Sequence, residues 1–520
     1  MNKNQILNLT ILILAIVVFL MFSFKYIDLT IDDAFITYRY SDNLASGFGF
    51  SWNYDEYQEF GFSSYLHTIL VAVGIKLGFD AITFSNIITI FSGIIAIIVV
   101  GFIVREITER KFEYYFLSSL VLGFLPAFGL HAIAGLETTL FIMFFVLSVY
   151  SYMIFLRTNK TKHLTILLTL IILCAFTRYE GALLSIGIIV HQFYNSRVLK
   201  NSINFKKIGV FCIPIIFLIG LLVWNYSQFE QFLPNPFFQK STMEFSDLVR
   251  NVYWISFALV FMIAHLLLIM LNLKKIMKNP KTSYFIIQII IVLIPFLFIE
   301  QWANFHHRYY FLVIPLIISL SIFSFYLINL KIISGKYSKF VFVIVVILLV
   351  SYNLPTNWEV RSFADRNSYG MEISHITIGK ILGKYDELKN NTIGIVVDAG
   401  AIPFYSKWNV YDFTLNDRYT VQNGFSAERF YQQNPVILIL NTGSGGYPQD
   451  DLEFLENDII KSLQEPEQGH MDEITLHPEF ENYKLIASYP VIFIFAEKNF
   501  AAENPLLMQE LIDNSTYLID

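Results

Sequence analysis

The chain has 520 residues, of which 55% are hydrophobic and only 15% are charged, whereas about 25% of a typical soluble domain is charged. Its net charge of −6 says little about partners, because most of the surface is expected to lie in lipid, but the lack of a basic stripe argues against nucleic acid. Both cysteines fall in apolar runs, so a disulfide framework is not expected. The apolar runs, each about 15 to 22 residues long, predict membrane helices in contact with lipid.

The runs predict a polytopic α-helical membrane protein with about 11 spans. These spans lie at residues 6–26, 84–104, 113–130, 138–156, 163–177, 181–194, 208–226, 250–272, 283–300, 309–328 and 338–353. The first run has no small-residue cleavage site, so we expect it to be retained as a helix. A further apolar stretch at 62–79 is either a twelfth span or a helix in the membrane interface.

Basic clusters decide between these two possibilities, because Lys and Arg concentrate in cytoplasmic loops. Clusters follow the predicted spans near residues 105, 157, 197, 274 and 331. With a cytoplasmic N-terminus, all of them are cytoplasmic only if 62–79 does not cross the membrane. We therefore expect 62–79 to lie in the interface, with Leu66, Leu70 and Val73 on one helical face and His67 on another.

A change in composition near residue 354 predicts two domains, a membrane module at 1–353 and an α/β domain at 354–520. Strands are predicted at 392–398, 409–413 and 436–440, a hairpin at 484–488 and 491–496, and a helix at 371–388. An odd number of spans places this domain outside the cytoplasm. The same topology places the first outer loop, residues 27–83, on that side.

Two adjacent acids, Asp32 and Asp33, begin this outer loop. One explanation is structural, since Thr30 followed by Asp33 resembles a capping box at the start of a helix. The other is functional, because a carboxylate at the membrane surface can take a proton from an acceptor hydroxyl. The pair can also hold a divalent cation through its oxygens, and Mg²⁺, Mn²⁺ and Ca²⁺ are the candidates.

Helical spacing places further polar side chains beside the two acids. Asp32, Arg39 and Asn43 are expected on one face, and Asp33 is expected to stack with Tyr40. Gly47 is expected to end the helix.

Six short segments, spread along nearly the whole chain, contain the residues that are informative about its family. They are Asp32-Asp-Ala-Phe-Ile36, Gly135-Leu-Glu-Thr138, Arg178-Tyr-Glu-Gly181, Leu233-Pro-Asn-Pro-Phe-Phe-Gln-Lys240, Arg308-Tyr-Tyr310 and Asp398-Ala-Gly-Ala-Ile402. With these segments the chain resembles GT-C fold glycosyltransferases that use polyprenyl-phosphate sugars, in particular bacterial cell-wall arabinofuranosyltransferases and related membrane enzymes. The resemblance implies a catalytic Asp in the first outer loop and amphipathic helices of that loop along the membrane.

Two segments depart from the pattern of this family. The family usually has Pro-Asn-Thr where this chain has Pro234-Asn-Pro236, and it often has Arg-Pro-Glu-Gly where this chain has Arg178-Tyr-Glu-Gly181. The second change keeps both charges. The first removes a hydroxyl, which leaves the identity of the donor open.

Glu137, Arg178 and Glu180 are candidate substrate-binding residues at the outer ends of predicted spans. Glu137 is either a helix N-terminal acid favoured by the dipole or an acid that lines the catalytic cavity. Arg178 and Glu180 lie in a tight turn near the membrane, where ionisable groups are costly. They either pair with each other, or Arg178 contacts the substrate phosphate.

Asn235, Lys240, His307 and Arg308 complete the candidate substrate site. Lys240 is a candidate for the donor phosphate, whose charge grows in the transition state, although a lysine that snorkels to the interface is the alternative. Arg308 is a candidate for bidentate phosphate binding. The alternative is interfacial anchoring of this segment by its aromatic residues.

The resemblance implies inverting transfer of a sugar from a polyprenyl-phosphate donor to a glycan or lipid acceptor, with Asp33 favoured over Asp32 as the base. No Gly-rich phosphate loop occurs, so no nucleotide is expected. The implied location is the plasma (inner) membrane of a bacterium, with the N-terminus cytoplasmic and the active site outside. The alternatives are a transporter or flippase of lipid-linked sugars, a ligase or polymerase that uses a diphosphate-linked oligosaccharide, and an inactive glycan-binding scaffold.

Overall fold

A computed structural model describes residues 3–54, 59–110, 115–199, 205–241, 245–260, 262–300, 304–332, 356–396, 398–412, 417–441, 459–460, 463–464, 470–490 and 492–515. The N-terminal module contains the α-helices Lys3–Lys25, Asp32–Ser46, Tyr65–Lys76, Ala81–Ile107, Leu117–Gly123, Pro126–His131, Thr138–Thr158, Thr161–Thr177, Leu183–Leu199, Phe205–Phe211, Ile213–Phe229, Asn235–Lys240, Phe245–Val260, Ile263–Lys278, Pro280–Leu293 and Ile314–Ile332. Short 3₁₀ segments lie at Tyr179–Ala182, Pro295–Phe298 and Phe305–Leu312.

Among the described residues, five helices are long and apolar enough to cross a membrane, or up to seven if each of two bent pairs is one span. The five are Asn4–Lys25, Ala81–Ile107, Thr138–Thr158, Ile208–Phe229 and Pro280–Phe298. Each coincides with a predicted span, and the chain is a multi-pass membrane protein. Many of their large apolar side chains are exposed, as lipid contact requires.

The predicted span at 250–272 is not one straight helix. Helices Ser246–Val260 and Ile263–Lys278 meet at an angle of 91°, so this segment is a broken span or a re-entrant loop. The helices Phe305–Leu312 and Ile314–Ile328 also form a bent pair, at 64°. Hydropathy reports how apolar a segment is but not where it bends, which is why the sequence misses both angles. The predicted span at 338–353 lies outside the described residues.

The ambiguous stretch at 62–79 contains the helix Tyr65–Lys76, which has 12 residues. At 1.5 Å per residue it rises about 18 Å, well short of the ~30 Å hydrocarbon core. Val73 and Leu77 are exposed and His67 is fully buried. This length and this division of faces are those expected of an interfacial helix, and the sidedness of the loop stays a prediction.

The C-terminal part contains a sheet of five strands in the order β2-β1-β3-β5-β4. The strands are β1 (Thr392–Val396), β2 (Asn409–Asp412), β3 (Pro435–Asn441), β4 (Tyr483–Tyr489) and β5 (Ile492–Glu497). β1 pairs in parallel with β2 and β3, whereas β5 pairs antiparallel with β3 and β4. The predicted strands and hairpin are therefore confirmed within a residue or two, as is a C-terminal α/β sheet.

The C-terminal part also contains helices at Thr356–Met371, Thr377–Leu382, Ala401–Ser406, Arg418–Asn423, Ala427–Gln432, Met471–Thr475, Lys498–Glu503 and Pro505–Asp513, with a π turn at Glu372–Ile376 and 3₁₀ turns at Asp386–Leu388 and Pro478–Asn482. The helix predicted at 371–388 is wrong at both ends. Helical structure begins at Thr356, and the α-helix stops at Leu382 before Gly383. The predicted domain boundary at 353/354 lies in residues 333–355, outside the described part of the chain.

The predicted first outer loop and the C-terminal sheet share one apolar core. Ile36, Tyr40 and Trp52 of the loop belong to the same buried cluster as Ile395 and Trp408 of the C-terminal domain. The indole of Trp52 also donates a hydrogen bond to the carbonyl of Val410 at 3.2 Å. The domain is thus packed directly against the loop that carries the two acids.

Candidate active site

A cavity of about 200 Å³ lies where the first outer loop meets the ends of several spans. It is lined by three acids, three cations, and aromatic, aliphatic, proline and small side chains. They are Asp33, Ile36, Thr37, Gly61, Phe62, Ser63, Leu136, Glu137, Arg178, Tyr179, Glu180, Leu233, Pro234, Pro236, Phe237, Lys240, Pro295, Ile299, Arg308 and Tyr309. Five of the six segments that carry the resemblance therefore contribute to one cavity.

Asp33 faces two cations in this cavity. Its Oδ2 lies 3.5 Å from Nζ of Lys240 and 3.9 Å from Nη2 of Arg308. Lys240 lowers the pKa of Asp33 below its ordinary value, against the opposing effect of burial and with a further contribution from Arg308. The carboxylate is therefore ionised, and 37% of its side chain remains accessible from the cavity.

Asp32 points away from the cavity because successive helical residues are rotated by about 100°. Its two carboxylate oxygens accept backbone hydrogen bonds from Gly400 (2.7 Å) and Ala401 (2.8 Å) of the C-terminal domain. Burial raises the pKa of Asp32 to about 7, although His375 opposes the increase. The two adjacent acids thus have different partners and different chemistry.

The helix that carries both acids has no side-chain cap at its start but has a glycine cap at its end. Ile31 is its N-cap, without a side-chain hydrogen bond, so the predicted capping box between Thr30 and Asp33 is wrong. Gly47 ends the helix as predicted, in the left-handed conformation with φ of 94°.

The face shared by Asp32, Arg39 and Asn43 is confirmed, but it packs against backbone rather than lining the cavity. Arg39 donates to the carbonyls of Trp52 (2.8 Å), Pro403 and Trp408 (2.9 Å), and it donates to Oδ1 of Asn53 (2.9 Å). Asn43 donates to the carbonyls of Ser51 and Trp52. The structure therefore does not bring Arg39 or Asn43 to the cavity.

Arg178 connects the two other acids of the cavity. Its guanidinium lies 2.8 Å from Oε1 of Glu137 and 3.0 Å from Oε1 of Glu180. Burial raises the pKa of Glu137, but Arg178, His67 and Arg308 together with a backbone hydrogen bond outweigh that effect, and the pKa lies below the ordinary value. The turn at Tyr179–Ala182 thus holds a three-residue ionic group with its polar atoms at the cavity wall.

Lys240 ends the short helix Asn235–Lys240, which Pro234 and Pro236 stiffen at its start. The backbone amide of Asn235 donates to the carbonyl of Phe60 at 2.8 Å. The side chain of Asn235 is buried and does not line the cavity, unlike both neighbouring prolines. The backbone carbonyl of Lys240 accepts from the amide of Glu300 at 2.8 Å, which joins this loop to the next one.

Arg308 follows two residues with left-handed backbone, His306 (φ 43°) and His307 (φ 62°). Non-glycine residues rarely adopt this conformation, and each costs on the order of 1 kcal/mol. The turn directs Arg308 into the cavity, where 8% of its side chain is exposed and its Nε is buried without a hydrogen bond among the described residues. His307 instead lines a second, smaller cavity with Met262 and Tyr310.

The predicted divalent cation does not fit the Asp32–Asp33 pair. Both oxygens of Asp32 accept amide hydrogens, while Asp33 faces two positively charged side chains. Among the residues that the structure describes, no group of three or more His, Cys, Asp or Glu side chains converges on a metal position.

Thr37 and Tyr179 also line the cavity, and neither was singled out from the sequence. Thr37 lies four residues after Asp33, so the helical period was a signal that could have found it. Gly400 lay within a motif of the resemblance, but its contact with Asp32 crosses 368 positions and no local pattern reports it.

Searches against protein-family models and curated proteins find no match. Solved structures do match over nearly the whole chain. ArnT from Cupriavidus metallidurans bound to undecaprenyl phosphate has a TM-score of 0.59 at 14% identity, covering 93% of this chain and 97% of that chain. The apo form of that protein has a TM-score of 0.61 at 12% identity and the same coverages.

An oligosaccharyltransferase from Archaeoglobus fulgidus, in complex with Zn and sulfate, is also similar. Its TM-score is 0.52 at 12% identity, covering 92% of this chain and 73% of that chain. At such identities the likeness shows the fold. The chain has the GT-C fold, a membrane helical module followed by a smaller C-terminal domain.

Proposed function

We propose that the protein transfers a sugar from a polyprenyl-phosphate donor to a glycan or lipid acceptor, with Asp33 as the general base. The observation that carries the proposal is the cavity in which an ionised Asp33 faces Lys240 and Arg308. This arrangement supplies a proton acceptor and two phosphate-binding cations within a few ångströms. The fold supports a lipid-linked donor, since the similar ArnT structure contains undecaprenyl phosphate.

The chemistry follows from these charges. Asp33 accepts the proton of the acceptor hydroxyl as its oxygen forms a bond to the anomeric carbon of the donor sugar. The bond between that carbon and the phosphate oxygen breaks, and its electron pair remains on the leaving polyprenyl phosphate. Attack from the side opposite the leaving group inverts the anomeric configuration. Lys240 and Arg308 stabilise the negative charge that grows on the phosphate.

The pairing of Asp33 with Lys240 gives the site a further property. A donor phosphate competes for Lys240 and Arg308, both of which lower the pKa of Asp33 in the free protein. As the cations turn to the phosphate, Asp33 loses stabilisation of its charged form and its pKa rises. Donor binding therefore makes Asp33 a stronger base at the step that needs one.

Arg178 serves in this proposal to hold Glu137 and Glu180 at the cavity wall, where their oxygens can accept hydrogen bonds from sugar hydroxyls. The buried Nε of Arg308, which lacks a partner among the described residues, is a natural donor to a phosphate oxygen. Thr37 and Tyr179 supply further hydroxyls to the same cavity.

We propose that the site and the C-terminal domain lie outside the plasma membrane of a bacterium, where lipid-linked sugars replace nucleotide sugars.

The test uses purified protein in lipid nanodiscs with a panel of polyprenyl-phosphate sugars, polyprenyl-diphosphate oligosaccharides and an extract of cell-envelope acceptors. Parallel reactions contain Mg²⁺, Mn²⁺, Ca²⁺ or a chelator. The proposal expects release of polyprenyl phosphate together with a glycosylated acceptor of inverted configuration. Turnover of the diphosphate donors alone would indicate the ligase or polymerase instead. Movement of a donor across sealed proteoliposomes without a product would indicate the flippase.

A further inference from the structure

The strand order of the C-terminal sheet reverses beside β1, at the kind of position where other α/β domains bind ligands. The chain leaves β1 for β2 on one side, and β3 lies on the other side of β1. In sheets of this type ligands bind outside the carboxyl ends of the strands where the strand order reverses. Asp398 follows β1 and Asn441 ends β3, and the Asn441 amide donates to Oδ2 of Asp398 at 2.7 Å.

A carboxylate of the protein itself lies beside this reversal of strand order. Asp32, which reaches the domain from the first outer loop, accepts from the amides of Gly400 and Ala401. His375 lies on the other side, with its Nε2 3.7 Å from Oδ2 of Asp398. Asp32 and His375 are both buried, so the contact excludes water.

The close approach leaves no room for a side chain at Gly400. A Cβ atom at that position would lie 2.0 Å from the backbone oxygen of Asp32 and 2.7 Å from its Oδ2. The nearest atoms are backbone atoms of the first helical turn, which cannot rotate away. Gly400 therefore fixes how closely this turn approaches the domain.

We propose that Asp32 is a positioning residue, docked on the Gly400–Ala401 amides of the C-terminal domain so that the neighbouring Asp33 is held at the reacting hydroxyl. The two acids occupy consecutive positions in one helical turn, so a shift of Asp32 displaces Asp33 as well. Arg39 secures the same helix to the carbonyls of Pro403 and Trp408. The domain thereby acts on the transfer step without lining the cavity near Asp33.

This inference rests on the proposed function for its kinetic part, but the docking can be measured without activity. Full-length protein is subjected to hydrogen exchange with peptide mass spectrometry, in the wild type, Asp32→Asn and the exposed control Asp28→Asn. Asn keeps one acceptor oxygen and presents an NH₂ group to the second amide. We expect at least about tenfold faster exchange at Gly400 and Ala401 in Asp32→Asn only. Unchanged exchange would overturn the docking.

The kinetic part compares Gly400→Ala with Gly220→Ala, because a Cβ at Gly220 meets nothing within 4 Å. An ångström of misplacement can cost about 100-fold in rate, so we expect kcat to fall at least about tenfold in Gly400→Ala alone. Binding of polyprenyl phosphate should keep its stoichiometry and its Kd within about twofold, because the phosphate-binding cations are untouched. A purely structural defect would lower the stoichiometry in parallel with kcat.

The pH profile separates positioning from catalysis by Asp32 itself. The acid limb of the kcat profile should persist in Asp32→Asn and in Gly400→Ala, and it should disappear in Asp33→Asn. Three results would each overturn the positioning role. The first is a wild-type kcat in Gly400→Ala, and the second is a binding stoichiometry in that variant that falls in parallel with kcat. The third is loss of the acid limb in Asp32→Asn. If the wild-type protein transfers no sugar, the proposed function fails, while the exchange result still decides whether Asp32 is docked.

Discussion

Asp33 and Lys240 are 207 positions apart in the chain, and yet Oδ2 of the one lies 3.5 Å from Nζ of the other on the wall of the same cavity. This ion pair joins the first outer loop to the loop before Phe245–Val260. Lys240 is also the largest influence on the pKa of Asp33. The pair therefore sets both the charge of the proposed base and the position of the cation proposed to bind phosphate, and Lys240→Gln tests the two effects together.

In Lys240→Gln, removal of the cation raises the pKa of Asp33 relative to the wild type. A base with a higher pKa stays protonated to higher pH, so the acid limb of kcat/KM moves to higher pH. Loss of one cation at the developing phosphate charge should also lower the rate about 100-fold or more. The measurement is the pH dependence of kcat/KM, with exposed Lys76→Gln as the control. An acid limb at the wild-type position in Lys240→Gln would refute this coupling.

Arg178 allows a test of whether its ion pairs are structural, functional or both. Arg178→Met leaves Glu137 and Glu180 without their cation, which should destabilise the protein by about 3–5 kcal/mol. The triple variant Arg178→Met, Glu137→Gln, Glu180→Gln removes the uncompensated charges and should recover most of that stability. Thermal unfolding in detergent measures this recovery.

The triple variant should still transfer no sugar if the two carboxylates bind substrate hydroxyls. Full activity together with recovered stability would show that the three residues have only a structural role.

Arg39 and Arg308 should respond in opposite ways to the same substitution. Arg39→Met removes charged hydrogen bonds to backbone carbonyls of the loop and the C-terminal domain, and each such bond contributes about 1.5–3 kcal/mol. We expect a lower melting temperature but unchanged affinity for polyprenyl phosphate in the folded fraction. Arg308→Met should instead weaken that affinity at nearly constant melting temperature. A weakened affinity for polyprenyl phosphate at an unchanged melting temperature in Arg39→Met would instead indicate that Arg39 binds substrate.

The raised pKa of Glu59 leads us to expect a specific dependence of thermal stability on pH. Burial raises its pKa to about 7 from the ordinary 4.5, against a hydrogen bond from the Arg418 amide. An acid whose pKa is higher in the folded state stabilises the fold fully below its unfolded pKa, and this contribution is lost as pH rises through about 7. Between pH 5 and 7.5 the wild type should therefore lose more thermal stability than Glu59→Gln. The control Asp386→Asn removes an exposed acid and should follow the wild type.

Much of the fold was predictable because its signals are local. Hydropathy found every described span, short apolar runs bounded by turn residues found the strands, and the 3.6-residue period placed Asp32 and Arg39 on a common face. The bend of 91° between Ser246–Val260 and Ile263–Lys278 was not predictable, because it depends on packing partners rather than on composition.

The candidate site was predicted as a set of residues but not as a geometry. Arg178, Lys240 and Arg308 do meet in one cavity with Asp33. Sequence patterns did not show that the face with Asp32 and Arg39 turns toward the C-terminal domain, since that depends on contacts more than 350 positions apart. They also did not show that His307 faces a different cavity from Arg308, because this division depends on two residues with left-handed backbone.

The central claim is that the Asp33 carboxylate takes the proton of the acceptor. The most direct measurement is the single-turnover rate of sugar transfer by Asp33→Asn in nanodiscs, beside the wild type and Asp28→Asn, with expression level and polyprenyl-phosphate affinity measured for each. We predict a loss of about 100- to 10,000-fold in Asp33→Asn, a wild-type rate in Asp28→Asn, and donor-phosphate binding in both. A wild-type transfer rate in Asp33→Asn would contradict the account.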